Sequence, residues 1–173
     1  MKNKVKYVKI RLIYDINFNG FNERANMKIS LRKFTADDAE TLKIYEFINM
    51  STDKIRQLIS DWNKNEFNGR YCEVFAAEYG GKTAGWFSMA ELPNGKISIG
   101  PTVFEPYRRK GIAYNIMKNL LSAAKSKGYS YAQAQIRLNN TASIKLHEKL
   151  GYTKKGTIIN RNHNEVYIYE RNI

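Results

Sequence analysis

A chain of 173 residues with 43% hydrophobic and 26% charged side chains can build one substantial core and is too apolar to stay disordered. Its formal charge of +13 points to an anionic partner: nucleic acid, a membrane surface or a phosphorylated small molecule. A single cysteine, Cys72, excludes an internal disulfide and suggests a reducing compartment, and with only His147 and His163 beside it no metal site is expected.

In chain order, residues 1–26 form a basic extension, with six Lys and Arg against two acids. Alternation in "VKYVKIRLIY" predicts an extra strand there with Val5 and Tyr7 inward, or else a ragged extension. Charge interrupts this segment too often for a signal peptide, and no apolar run approaches the ~20 residues that cross a bilayer. A cytoplasmic protein that avoids membranes is therefore expected, with residues 27–173 as its single domain.

"KISLRKF" alternates as a strand, and Thr35 is placed to cap a helix with Asp38 in the capping-box position. A second helix after Ser51 carries Ile55, Leu58, Ile59 and Trp62 on one face. "CEVFAAEYGGKTAGWFSMAEL" predicts a hairpin about Gly80-Gly81, "PNG" a further turn and "KISIGPTVF" a third strand. A helix with Ile112, Ile116, Leu120, Leu121 and Ala124 on one side follows, then the strand "YAQAQIRL", a short helix over 141–150 and a last strand "EVYIYE". Helices and strands alternating around a mixed sheet make an α/β layout.

Two segments carry chemistry. In "VFEPYRRKGIA", residues 103–113, three cationic residues and a glycine lead directly into a helix. A helix N-terminus offers unpaired N–H groups and partial positive charge, and Gly111 and Ala113 leave room for a phosphate to approach. Arg108, Arg109 and Lys110 add charge at the rim. Neither a P-loop nor a GxGxxG spacing is present, and taken alone the stretch also fits a solvated basic turn. In "LNNTASIKLHEKLGY", residues 138–152, Asn140 is a good N-cap. Asn140, Ser143 and His147 form a polar stripe, with Ala142, Leu146 and Leu150 as the apolar stripe beside it. An uncharged polar stripe is expected beside a ligand cleft.

The two segments together resemble the GNAT superfamily of acyl-CoA-dependent N-acetyltransferases, over roughly residues 28 to 170. The first is similar to the family's R/Q-x-x-G-x-G/A loop. The second is similar to its N-x-x-A/S-x-x-L/F/I-Y/H-E-x-x-G-F/Y helix. The resemblance implies a mixed central sheet whose two parallel strands splay apart, flanked by helices on both faces. It implies acetyl-CoA as acyl donor, with its pyrophosphate on the backbone of Arg108, Arg109, Lys110, Gly111, Ile112 and Ala113. The pantetheine arm is expected along Thr102 and Val103, and in contact with Asn140 and Ser143.

It further implies direct attack of an amine on the thioester in a ternary complex. Val103 N–H is the expected oxyanion donor. His147 stands where many relatives carry a tyrosine, and either protonates the leaving thiolate or makes a structural hydrogen bond. Glu91 is the candidate base, with Glu73 and Glu78 as rivals; a chain of waters is the alternative. Tyr45, Trp62, Trp86 and Phe87 are expected around an acceptor pocket or in the core. The expected partner is a small-molecule or peptide amine, and a homodimer is left open. Two other readings remain: a binding module docking nucleic acid through its basic surface, and an acetyltransferase directed at a macromolecule.

Overall fold

The computed structural model describes residues 28–173. The extension over 1–26, with its predicted strand, lies outside the described residues. The elements run β1 (Ile29–Arg32), α1 (Asp38–Tyr45), α2 (Thr52–Trp62), β2 (Glu66–Phe67), β3 (Arg70–Tyr79), β4 (Lys82–Glu91) and β5 (Ile97–Val103). After a 3-10 turn at Glu105–Tyr107 come α3 (Ile112–Ser126), β6 (Tyr131–Arg137), α4 (Thr141–Lys149), β7 (Thr153–Ile159) and β8 (Glu165–Asn172). The sheet order is β1-β3-β4-β5-β6-β8-β7, with β2 paired to β3. Among the described residues only β5 and β6 are parallel.

Period-two alternation sorts the hairpin between the two faces. Phe75, Ala77, Phe87 and Met89 join Ile112, Ile116, Leu120 and Leu150 in one core under α3 and α4. Val74 and Ala76 face the other way and pack with Leu42, Ile55 and Ile59 under α1 and α2. Phe87 and Leu42 are wholly buried, and removing the Phe87 ring would cost roughly 3–5 kcal/mol.

The start of α1 keeps one half of the expected capping box, the bond from the Thr35 backbone to Asp38, and lacks the other. The helix begins at Asp38, whose carboxylate accepts the Thr35 N–H at 2.8 Å while the Thr35 hydroxyl donates to it instead of capping. Asp38 is committed elsewhere: Arg32 grips it with two bonds of 2.7 and 2.8 Å, and the Thr83 hydroxyl donates at 2.8 Å. Burial pushes this carboxyl up, but those donors outweigh it and hold it at about 2. β7 has no counterpart in the sequence reading. Every one of its residues is exposed and its pairing shifts between Lys154 and Gly156, so it has no alternating apolar face to reveal it.

Candidate functional site

The site begins where two strands part. β5 and β6 each run seven residues, yet their register holds a single pair, Ile97 with Ala132, at their N-terminal ends. β5 meanwhile stays paired to β4 as far as Gly85 opposite Val103. Antiparallel ladders alternate between pairs that exchange hydrogen bonds and pairs that turn their amides outward. Phe104 N–H donates to Ala84 O at 2.9 Å, so the next pair, Val103 with Gly85, turns its amides outward. Val103 N–H therefore faces the gap left by β6, whereas the backbone of Thr102 is turned toward Trp86. Pro101 sits one further pair along, and its missing N–H also falls on the gap, where no ladder bond is lost. Gly85 is required by close approach: a Cβ there would lie 2.1 Å from Thr102 O.

The loop beyond Val103 is tied back to it. Arg108 Nε donates to Val103 O at 3.0 Å, and Lys110 Nζ lies 5.3 Å and 5.6 Å from the ring centres of Tyr79 and Tyr107. Arg109 and Gly111 both have left-handed backbone, with φ of 64° and 74°. Such alternations point successive N–H groups into one concavity. Helix α3 then starts with no side-chain cap and no acid in its first turn. Asn115 N–H donates to Gly111 O as the helix's opening bond, which leaves the N–H groups of Ile112, Ala113 and Tyr114 without intrahelical partners. The Ile112 side chain is buried and anchors the turn, while Ala113 keeps its outer side small.

Across the gap, Asn140 caps α4 by accepting the Ser143 N–H at 3.1 Å. His147 is the buried residue of this helix, so the predicted polar stripe turns inward at its lower end; Ala142, of the predicted apolar stripe, is exposed. His147 Nδ1 lies 2.8 Å from Ser143 O and 3.3 Å from Ser143 Oγ. A carbonyl only accepts, so Nδ1 carries the hydrogen and the neutral ring presents Nε2 as a bare lone pair. Burial lowers the imidazole, opposed by the bond to Ser143 O, so the neutral ring is favoured. Its ring meets Tyr152 edge-on, with centres 5.0 Å apart. Among the described residues neither His147 Nε2 nor Tyr152 OH has a hydrogen-bond partner.

The candidate carboxylates are all engaged. Glu91 stands opposite Ile97, six residues from the Val103 level and so about 20 Å away along the strand, and it accepts from Tyr129 OH at 3.0 Å. The structure does not bring Glu91 to the gap. Glu73 pairs with Lys33 at 2.8 Å and accepts from Tyr71 OH. Glu78 pairs with Arg32 at 2.7 Å, which holds its carboxyl below the usual range.

Of the four aromatics, Phe87 is core on the α3 face. The other three lie on the α1–α2 side, where Trp62 stacks on Trp86 with centres 5.7 Å apart and Tyr45 on Phe104 at 4.9 Å. Trp86 is opposite Thr102, and its Nε1 is buried without an acceptor among the described residues. Cys72 is half-buried against that core, and burial raises its thiol. Among the described residues no helix is long and apolar enough to cross a membrane.

Residues 37–152 match the model of the acetyltransferase (GNAT) family. The spore coat polysaccharide biosynthesis protein SpsD of Bacillus subtilis is 24% identical over 105 residues, covering 61% of this chain and 36% of that protein. A phosphinothricin N-acetyltransferase of Streptomyces viridochromogenes is 35% identical over 63 residues, covering 35% of this chain and 34% of its own. The chain thus spans about a third of the length of these curated relatives. Among solved structures, RimL, a ribosomal α-N-protein acetyltransferase in complex with coenzyme A, superposes with a TM-score of 0.73 at 17% identity, covering 84% of this chain and 94% of that one. The microcin self-immunity acetyltransferase MccE, in complex with acetyl-CoA and AMP, gives 0.69 at 18% identity over 84% and 93%. These two likenesses concern the fold.

Proposed function

The chain belongs to the acetyltransferase (GNAT) family, whose members use acetyl-CoA, and from that membership we propose that it transfers the acetyl group to a primary amine by direct attack in a ternary complex. The observation that carries the proposal is the uncapped, acid-free N-terminus of α3, set behind two left-handed residues at the mouth of the β5–β6 gap. Those features fit the donor's pyrophosphate, and they would be poor choices for a helix that faced only water. Acetyl-CoA supplies an activated acyl carbon and a thiolate leaving group.

The N–H groups of Ile112, Ala113 and Tyr114 hold the pyrophosphate, with Gly111 shaping the turn and Arg109 and Lys110 adding charge at its rim. Arg108 acts through its bond to Val103 O, which fixes the strand end. Val103 N–H, turned to the gap, is the oxyanion donor. Asn140, whose carbonyl oxygen is used by its cap, keeps an amide N–H2 for the pantetheine arm, with Ser143 beside it. Glu73, Glu78 and Glu91 are all paired or distant and His147 Nε2 is buried, so the proton is assigned to a chain of waters in the gap. These waters take the proton released as the amine attacks and return one to the sulfur as the C–S bond breaks, while His147, through its bond to Ser143 O, keeps α4 in place.

The named relatives include a protein-directed and a small-molecule-directed N-acetyltransferase, which supports an amine acceptor of either size. The test is thiol release from acetyl-CoA across a panel of small amines and peptides. Turnover should appear with at least one amine and fall less than about tenfold in His147→Gln, with unchanged acetyl-CoA affinity. Acetyl-CoA that fails to bind would overturn the reading. A loss of about a hundredfold or more in His147→Gln would instead put the histidine in the proton path.

A further inference from the structure

A cleft of about 700 Å³ opens between α3, the C-terminal end of α4 and the β6–β8–β7 side of the sheet. That is a volume in which small ligands are held. Lys118 from α3, Lys149 from α4, Lys155 from β7 and Arg171 from β8 all line it. A solvated basic surface usually belongs to one helix face or one charged run. Here four different elements, spread over residues 118 to 171, each deliver a cation to one concavity. The single carboxylate in the lining, Glu170, is already bound by Lys96 and by Gln133 Nε2 at 2.7 Å, and the Lys96 bond above all holds it below its usual range. Of the four cations it feels only Lys155, and that without a salt bridge; none of the four has a salt bridge among the described residues.

Two of these cations are already oriented. Lys149 Nζ lies 4.6 Å from the centre of the Tyr114 ring, and the Arg171 guanidinium donates to Leu150 O beside Gly151. Orientation before binding reduces the ordering cost that a ligand must offset. The cleft reaches from the Tyr114 ring, in the first turn of α3, to Tyr131 beside the paired ends of β5 and β6, and the Tyr131 end lies about 20 Å along the strands from Val103.

We infer that this cleft binds a compact polyanion carrying two or more phosphate or carboxylate groups, and that it does so while acyl-CoA occupies the β5–β6 gap. Inorganic tripolyphosphate is a suitable probe, titrated calorimetrically at fixed moderate salt into the full chain saturated with CoA, with orthophosphate alongside. Tripolyphosphate should bind at least tenfold more tightly than orthophosphate. The Lys118→Gln/Lys155→Gln pair, both exposed positions, should weaken it at least tenfold and leave the thermal midpoint of the free protein unchanged. Loss of binding once CoA saturates the protein would overturn the inference, since the anion would then belong to the CoA site. Equal affinity in the double variant, or equal affinity for orthophosphate, would overturn it as well.

Discussion

Helices α2 and α3 begin in opposite ways. α2 starts at Ser51, whose hydroxyl accepts the Lys54 N–H, and it carries Asp53 in its first turn. α1 similarly opens on Asp38 and Glu40, and α4 on the Asn140 cap. These three helices satisfy or neutralise their N-terminal amides with their own side chains. α3 has neither a cap nor an acid, and a left-handed glycine in their place. An end that a sequence leaves unsatisfied in this way is either destabilised or meant for something outside the chain. The comparison teaches that a binding site can be recognised by the stabilising residues it lacks.

The sharpest way to break this contrast is at the turn itself. Gly111→Val puts a β-branched residue at φ 74°, where it costs on the order of 1–3 kcal/mol, and swings the α3 amides off target. Acetyl-CoA affinity should fall about a hundredfold by calorimetry, with a smaller loss of thermal stability. At the start of α1, Asp38→Asn should instead cost stability, about 2 kcal/mol at neutral pH by denaturant titration, because Arg32 loses its buried counter-charge.

The same residue sets an acid limb. Its carboxyl is held at about 2, below its ordinary value near 3.8, so folding favours the charged form. That contribution is complete above about pH 4 and is lost as pH falls toward 2. The Asn variant should lose that part of the acid dependence. The smallest effect is expected at α2: Ser51→Ala should cost about 1 kcal/mol of stability and change acetyl-CoA affinity less than twofold.

Sequence alone carried most of the elements because the hairpin, α2 and α3 have strong periodicity, and the two motifs fall at strand–helix junctions where their chemistry is local. What it missed depends on pairing. That Val103 and Thr102 turn opposite ways follows from ladder register, not from identity; Pro101, an awkward residue for a central strand, was the available clue. Glu91 read as a strand-end carboxylate facing the cleft, but the hairpin carries that strand end to the far end of the sheet. His147 read as part of a cleft-facing stripe, whereas its helix packs on that side. The cationic cleft could not be read at all, since its four charges meet only after β7 and β8 pair.

The most direct measurement gives α3 the acid that α2 already has. Ala113→Asp and the uncharged Ala113→Asn differ in one charge at the first turn of the helix, and both would be titrated with acetyl-CoA at constant salt. The account predicts that the Asp variant binds at least tenfold more weakly than the Asn variant, while its free form is as stable or more stable by about 0.3–1 kcal/mol. Equal affinity of the two variants for acetyl-CoA would contradict it, because the N-terminus of α3 would then not be where the donor's phosphates sit.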